Sequence, residues 1–248
     1  MVDGKRAYGR APRPGELTVQ NAAICAAGLR ALAQHLAAHH DTFNEIATCT
    51  RAAIWLERQL AKRDDNDFLA DPDTGDEVLL PMPPEIRKLA ESVRRVGQDL
   101  SPLHDYGQLG EVCCLFAVAA GAGPATDPPL LELAEAAMDR EDFQYAAECF
   151  EQLQTAEDTS IRLNALYNGA RAHAALADRS LSDKVGHWRV TINNLRVLED
   201  ASPPDLEDAI SPLARSQLTT LRHAIEERMR VEQHRGGPSA GEPLTGLA

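Results

Sequence analysis

The chain has 248 residues and is acidic, with 38 Asp and Glu against 25 Lys and Arg and a formal net charge of −13. This charge argues against broad contact with nucleic acid or with anionic membrane, because both would be repelled. Hydrophobic residues make up 44% of the chain but aromatic residues only 4%. Alanine and leucine therefore carry the apolar content, which favours close-packed helices over sheets.

The N-terminal residues 1–15 are rich in glycine, proline and arginine and predict a disordered basic arm. They contain no apolar core of a secretory signal, and no apolar run in the chain approaches the ~18 residues that span a bilayer. The cysteines are odd in number and lack the spacing of a disulfide framework. They predict reduced, mostly buried thiols of a cytoplasmic protein: Cys25, Cys49, Cys113, Cys114 and Cys149.

Residues 16–121 predict an N-terminal helical region. Apolar residues return at helical spacing from Leu17 to His39, and a second helix is expected from about Thr42 to Leu60, so the two form a helical hairpin. Thr42 is followed three residues later by Glu45, which is the pattern of a capping box. Two further helices are predicted, over 85–100 and 108–120.

The segment 64–77 interrupts this helical pattern with seven acidic residues and no basic one. Its middle contains a turn ending at Gly75, with apolar residues on both sides. It predicts a small β-hairpin or extended excursion near 67–80. The segment 121–129, rich in glycine and proline, is the best internal boundary.

The remaining region, 129–234, predicts helices at about 130–139, 142–155, 159–178 and 182–199. A last helix that Pro212 can kink follows, to about residue 233. The tail, 235–248, has the composition of a disordered segment. The fold class expected for the whole chain is all-α, an array of antiparallel helical hairpins.

Residues 130–153 read as two short helices joined by a tight turn. Small residues, Ala134 and Ala146, stand where the helices must approach, Phe150 fills the space beside them, and Asp142-Phe143 lies at the turn. This segment resembles the tetratricopeptide repeat. A degenerate second unit follows to residue 199, with a longer turn and no aromatic residue at Val190. Its small and apolar positions are Leu166, Gly169, Ala172, Gly186 and Leu195.

The resemblance implies a protein that binds a peptide or a partner's helix in a groove lined by the first helix of each pair. Asn and Arg side chains can hold a peptide backbone or a carboxylate. The same side chains can equally be ordinary solvated helix residues. The positions that the resemblance assigns to the groove, or close to it, are Glu135, Met138, Asp139, Asn164, Asn168, Ala170, Arg171 and His173.

A metal site is a second interpretation, because His35 and His39 are four residues apart on one predicted helix. Glu45 or His104 would have to complete it, and the sequence contains no HExxH motif. Histidines near a helix C-terminus are also favoured there by the helix dipole. No cofactor is predicted.

Self-association through the C-terminal helix is a third interpretation, since its apolar residues form a broken heptad. Of the three, the sequence favours a cytoplasmic adaptor or regulatory module that binds another protein or peptide and assigns no catalytic residue. A helical metalloenzyme and a self-associating subunit are the alternatives. The residues of the broken heptad are Ile210, Leu213, Leu221, Ala224 and Arg228.

Overall fold

The computed structural model describes residues 11–39, 42–62, 68–70, 77–79, 83–100, 107–121, 123–180 and 182–235. Helices dominate this part of the chain, which confirms the all-α class. They are α1 (Val19–His39), α2 (Phe43–Ala61), α3 (Pro84–Leu100), α4 (Gly107–Ala120), α5 (Asp127–Asp139), α6 (Phe143–Leu153), α7 (Thr159–Arg179), α8 (Lys184–Glu199), α9 (Pro203–Ala209) and α10 (Pro212–Arg235). None of these helices is both long and apolar enough to cross a membrane.

Two short strands interrupt the helices within the segment expected to leave the helical pattern. Strand β1 (Phe68–Ala70) pairs antiparallel with β2 (Glu77–Leu79), with Phe68 opposite Leu79. The turn predicted between them, at 71–76, lies outside the described residues, as do 1–10 and 236–248.

Neighbouring helices pack in pairs along the chain: α1 on α2, α3 on α4, α5 on α6 and α7 on α8. The pairs also contact one another, since α4 packs on both α1 and α5, α6 on α7, and α10 on α8. This arrangement is compatible with a helical-repeat fold.

Two groups of buried side chains form the interior. The larger extends from residue 11 to Ala172. Every residue of α4 from Val112 to Ala120 is buried, and all of them except Ala117 belong to this group. The smaller joins α7 and α8 to α9 and α10, around Trp188 and Leu195. Apolar burial contributes roughly 25 cal/mol per Å² of area removed from water, so the burial of this run of α4 stabilises the fold.

Residues 11–15, the described end of the arm predicted over 1–15, contact the helices. Ala11 is buried and its N–H donates to Oε2 of Glu148 on α6 at 3.2 Å. The N–H of Gly15 donates to the carbonyl of Val118 on α4 at 3.3 Å. Gly15 has a positive φ of 77°, a conformation that glycine adopts at little cost.

Two other details differ from expectation. Thr42 stands at the N-terminus of α2, but its side chain makes no capping hydrogen bond, so the capping box is not formed. The last helix is two helices rather than one with a kink. Ile210 adopts an extended conformation after α9, and Pro212 begins α10, where its missing N–H is not needed.

Candidate functional site

The turn between α5 and α6 has the geometry of a tight helical hairpin. Glu141 adopts the left-handed conformation with φ 61°, and the N–H of Asp142 donates to the carbonyl of Ala137 at 2.9 Å. The Asp142 carboxylate then caps α6 by accepting the N–H of Tyr145 at 3.3 Å. The small residues and the aromatic residue predicted at this contact, Ala134, Ala146 and Phe150, are all fully buried.

The second pair meets the first at a glycine. A Cβ added to Gly169 on α7 would lie 3.3 Å from the Cβ of Phe150 on α6. Glycine therefore lets α7 approach the aromatic residue that closes the first pair. Positions that the sequence assigned to two successive units thus pack directly on each other.

A row of polar side chains runs along α7. Nδ2 of Asn168 donates to Oδ1 of Asn164 at 2.8 Å, and Arg171 donates to Oδ1 of Asn168 at 2.9 Å. The Arg171 guanidinium also lies 5.9 Å from the centre of the Tyr167 ring. In the described part of the chain, Asn164, Asn168 and Arg171 hydrogen-bond only to one another. We call these three residues the α7 row.

The candidate residues of α5 lie on a helix that packs against α7. Glu135 and Asp139 are exposed, and Met138 is half-buried against the larger core. Loss of hydration beside the helix surface raises the pKa of Glu135, and the neighbouring carboxylates of Glu132 and Asp139 raise it further. This end of α5 is therefore an acidic surface.

His173 is buried, unlike the α7 row, in which Asn164 and Asn168 are half-buried and Arg171 is exposed. Its Nε2 lies 3.1 Å from Oε1 of Glu151 on α6, and its Nδ1 lies 3.1 Å from Nδ1 of His187 on α8. A contact between two ring nitrogens needs one donor and one acceptor, so a single proton lies between the rings. His173 on α7 thus links α6 and α8. Ala170, one turn earlier on α7, is also buried.

These contacts shift two pKa values. Burial lowers the pKa of His187, the neighbouring His173 lowers it further, and Asp183 and Glu151 partly oppose the shift. The hydrogen bond to His173 lowers the pKa of Glu151. The arrangement therefore favours a neutral His187 and an ionised Glu151 at neutral pH.

The proposed metal pair is only partly described. His35 is half-buried on α1, whereas the side chain of His39 and all of His104 lie outside the described residues. Among the residues that the structure does describe, no three His, Cys, Asp or Glu side chains are grouped so as to hold a metal ion.

A groove of about 540 Å³ lies between α8 and α10. It was not predicted from the sequence, although Arg189 and Arg196, seven residues apart on one helix, were a signal for it. Glu151 and His187 were also missed as partners of His173, because spacing along the chain does not show which residues meet across helices. Side chains that line the groove include Arg189, Ile192, Arg196, Glu226, Met229 and Arg230.

Comparisons with protein-family models, with curated proteins and with solved structures found no match to this chain.

Proposed function

We propose that the chain is a protein-binding adaptor or regulatory module, and that residues 130–199 are a divergent tetratricopeptide pair. The left-handed turn at Glu141, the Asp142 cap and the close approach of Gly169 to Phe150 support this assignment. The five free, buried cysteines suit the reducing cytoplasm proposed for the protein.

The α7 row is the observation that carries the proposal. Its amide and guanidinium groups are held in place by hydrogen bonds within the row, yet they join α7 to no other described helix. Polar groups fixed in this way add little to tertiary stability but are preorganised to bind a peptide backbone or a carboxylate. The adjacent acidic end of α5 would contact basic or polar side chains of the same partner.

Affinity capture from lysate of the cells that make the protein tests this proposal. The full chain, the Asn168→Ala/Arg171→Ala double variant and an Arg51→Ala control are compared by mass spectrometry. Arg51 is an exposed residue on α2. Partners retained by the full chain and the control but lost by the folded double variant would support the assignment, and equal capture by all three would reject it.

Self-association through α10 is a second candidate, favoured by one observation. Leu213 is 67% exposed and Val231 is 42% exposed, while Leu221 and Ala224 lie between them on the same side of the helix. Ile210 is instead buried in the smaller core. Light scattering on the Leu213→Ser/Val231→Ser variant tests this candidate, which fails if the unmodified chain is already a monomer.

A further inference from the structure

The groove between α8 and α10 differs in charge from the rest of the molecule. Its lining contains three arginines and one glutamate, a formal charge of +2, in a chain whose net charge is −13. Arg189 is exposed and has no carboxylate within 4 Å in the described part of the chain. A negatively charged group entering the groove would therefore meet an uncompensated guanidinium.

The other two arginines are positioned by partners on α10. Arg196 donates to Oε1 of Glu226 at 2.8 Å, and the same oxygen accepts from Arg222 at 2.9 Å. Arg222 also donates to Oε2 of Glu199 at 2.8 Å, so two guanidinium groups share two carboxylates in this network. Arg196 is 61% exposed in it, and its guanidinium can still be reached from the groove. Arg230 pairs with Glu227 on its own helix at 3.0 Å, with both side chains about two-thirds exposed, so this pair is weak.

The floor of the groove is apolar. Ile192 on α8 is buried and Met229 on α10 is half-buried between the arginines. Arg189 and Arg196 are seven residues apart, which places them about 10 Å apart along the helix axis. An extended peptide covers this distance in about three residues.

We propose that this groove binds an acidic peptide segment, with carboxylates toward Arg189 and Arg196 and an apolar side chain on Ile192 and Met229. A long polyanion such as nucleic acid fits less well, because the acidic remainder of the chain repels it and it has no side chain for the apolar floor. The groove is separate from the α7 row, so either surface can fail without the other.

Fluorescence polarisation with the full chain at low salt tests this inference. The probe is a fluorescein-labelled octapeptide of Asp and Glu around a central Leu-Phe pair. Two comparison probes are the same peptide with a Ser-Ser centre and a labelled single-stranded DNA oligonucleotide. The Leu-Phe peptide should bind most tightly, and its binding should weaken as salt is raised from about 50 to about 500 mM.

Arg189→Glu is the decisive variant, since this exposed side chain supports no described contact. We expect about tenfold weaker peptide binding, because attraction becomes repulsion. Arg51→Glu, on α2, makes the same change in net charge and should bind as the unmodified chain does. Equal loss in both variants, tighter binding of the DNA, or no binding of the Leu-Phe peptide would each overturn the inference.

Discussion

Arg179, in the last turn of α7, forms an ion pair with Glu141 at the turn between α5 and α6. Its guanidinium donates to both the carboxylate and the carbonyl oxygen of Glu141 and lies 4.4 Å from the centre of the Phe143 ring. Glu141 has φ 61°, a conformation that costs a non-glycine residue about 1–2 kcal/mol. The contact therefore joins this unfavourable turn between α5 and α6 to α7, the first helix of the following pair.

Removing the Arg179–Glu141 ion pair should destabilise the protein only slightly. Both charged side chains are more than half exposed, so Arg179→Ala is expected to lower the free energy of unfolding by about 0.5–1 kcal/mol. Glu141→Gly in the Arg179→Ala background should recover about 1 kcal/mol, because glycine adopts positive φ freely. Urea unfolding of both variants measures this, and a further loss in the double variant would show that the strain at Glu141 is unimportant.

Two glycines on helices should respond oppositely to alanine. A Cβ on Gly28 of α1 would lie 2.6 Å from a methyl carbon of Val112, whereas a Cβ on Gly110 of α4 would meet nothing within 4 Å. Gly110→Ala should therefore stabilise by up to about 1 kcal/mol through helix propensity. Gly28→Ala should destabilise by about 1–3 kcal/mol through overpacking.

Thermal unfolding of the two alanine variants checks this pair of predictions. Adding Val112→Ala to Gly28→Ala should restore part of the lost stability, because it removes the clash. Equal gains from both glycine substitutions would contradict the close packing of α1 on α4.

The stability of the protein should fall as the solution is acidified from about pH 7 to about pH 5. The pKa of His187 is lower in the folded protein than its ordinary value of about 6.5, so the unfolded chain binds the proton first. The stabilisation that neutral His187 contributes is thus complete above about pH 6.5. It is lost as pH falls toward the pKa of His187 in the folded protein. Glu151, whose pKa is also lowered, loses its contribution at still lower pH.

Chemical unfolding across this pH range tests the histidine contact. His187→Gln should flatten the dependence, because glutamine does not titrate. His234→Gln changes an exposed histidine at the end of α10 and should leave the dependence intact. Identical curves for the two variants would show that His187 is not the responsible group.

The cysteines should resist thiol reagents while the protein is folded. All five are buried and free, and burial raises the pKa of Cys49 to about 12 and that of Cys113 and Cys149 well above the ordinary value. Thiolates are the reactive form. At about pH 8, DTNB should react within minutes only after denaturant is added; a thiol that reacts immediately in the folded protein would contradict the burial.

Much of this fold is readable from the sequence, because apolar spacing predicts most helices within a few residues. The start of α5 differs from the predicted residue 130: the helix begins at Asp127, because Pro128 and Pro129 are tolerated in a first turn. The site was less predictable. Helical spacing placed Asn164, Asn168 and Arg171 on or near one face, but nothing local shows that His173 turns inward toward Glu151 and His187.

The most direct test of the central claim is photo-crosslinking in the cells that make the protein. A benzophenone amino acid replaces Ala175, one turn beyond Arg171 on α7, so the row stays intact. Ala31, exposed on α1, is the control position. A partner adduct at position 175 that is absent at position 31 and lost with Asn168→Ala/Arg171→Ala is the predicted result. No adduct at 175, or the same adduct at both positions, would contradict the assignment of this face as the binding surface.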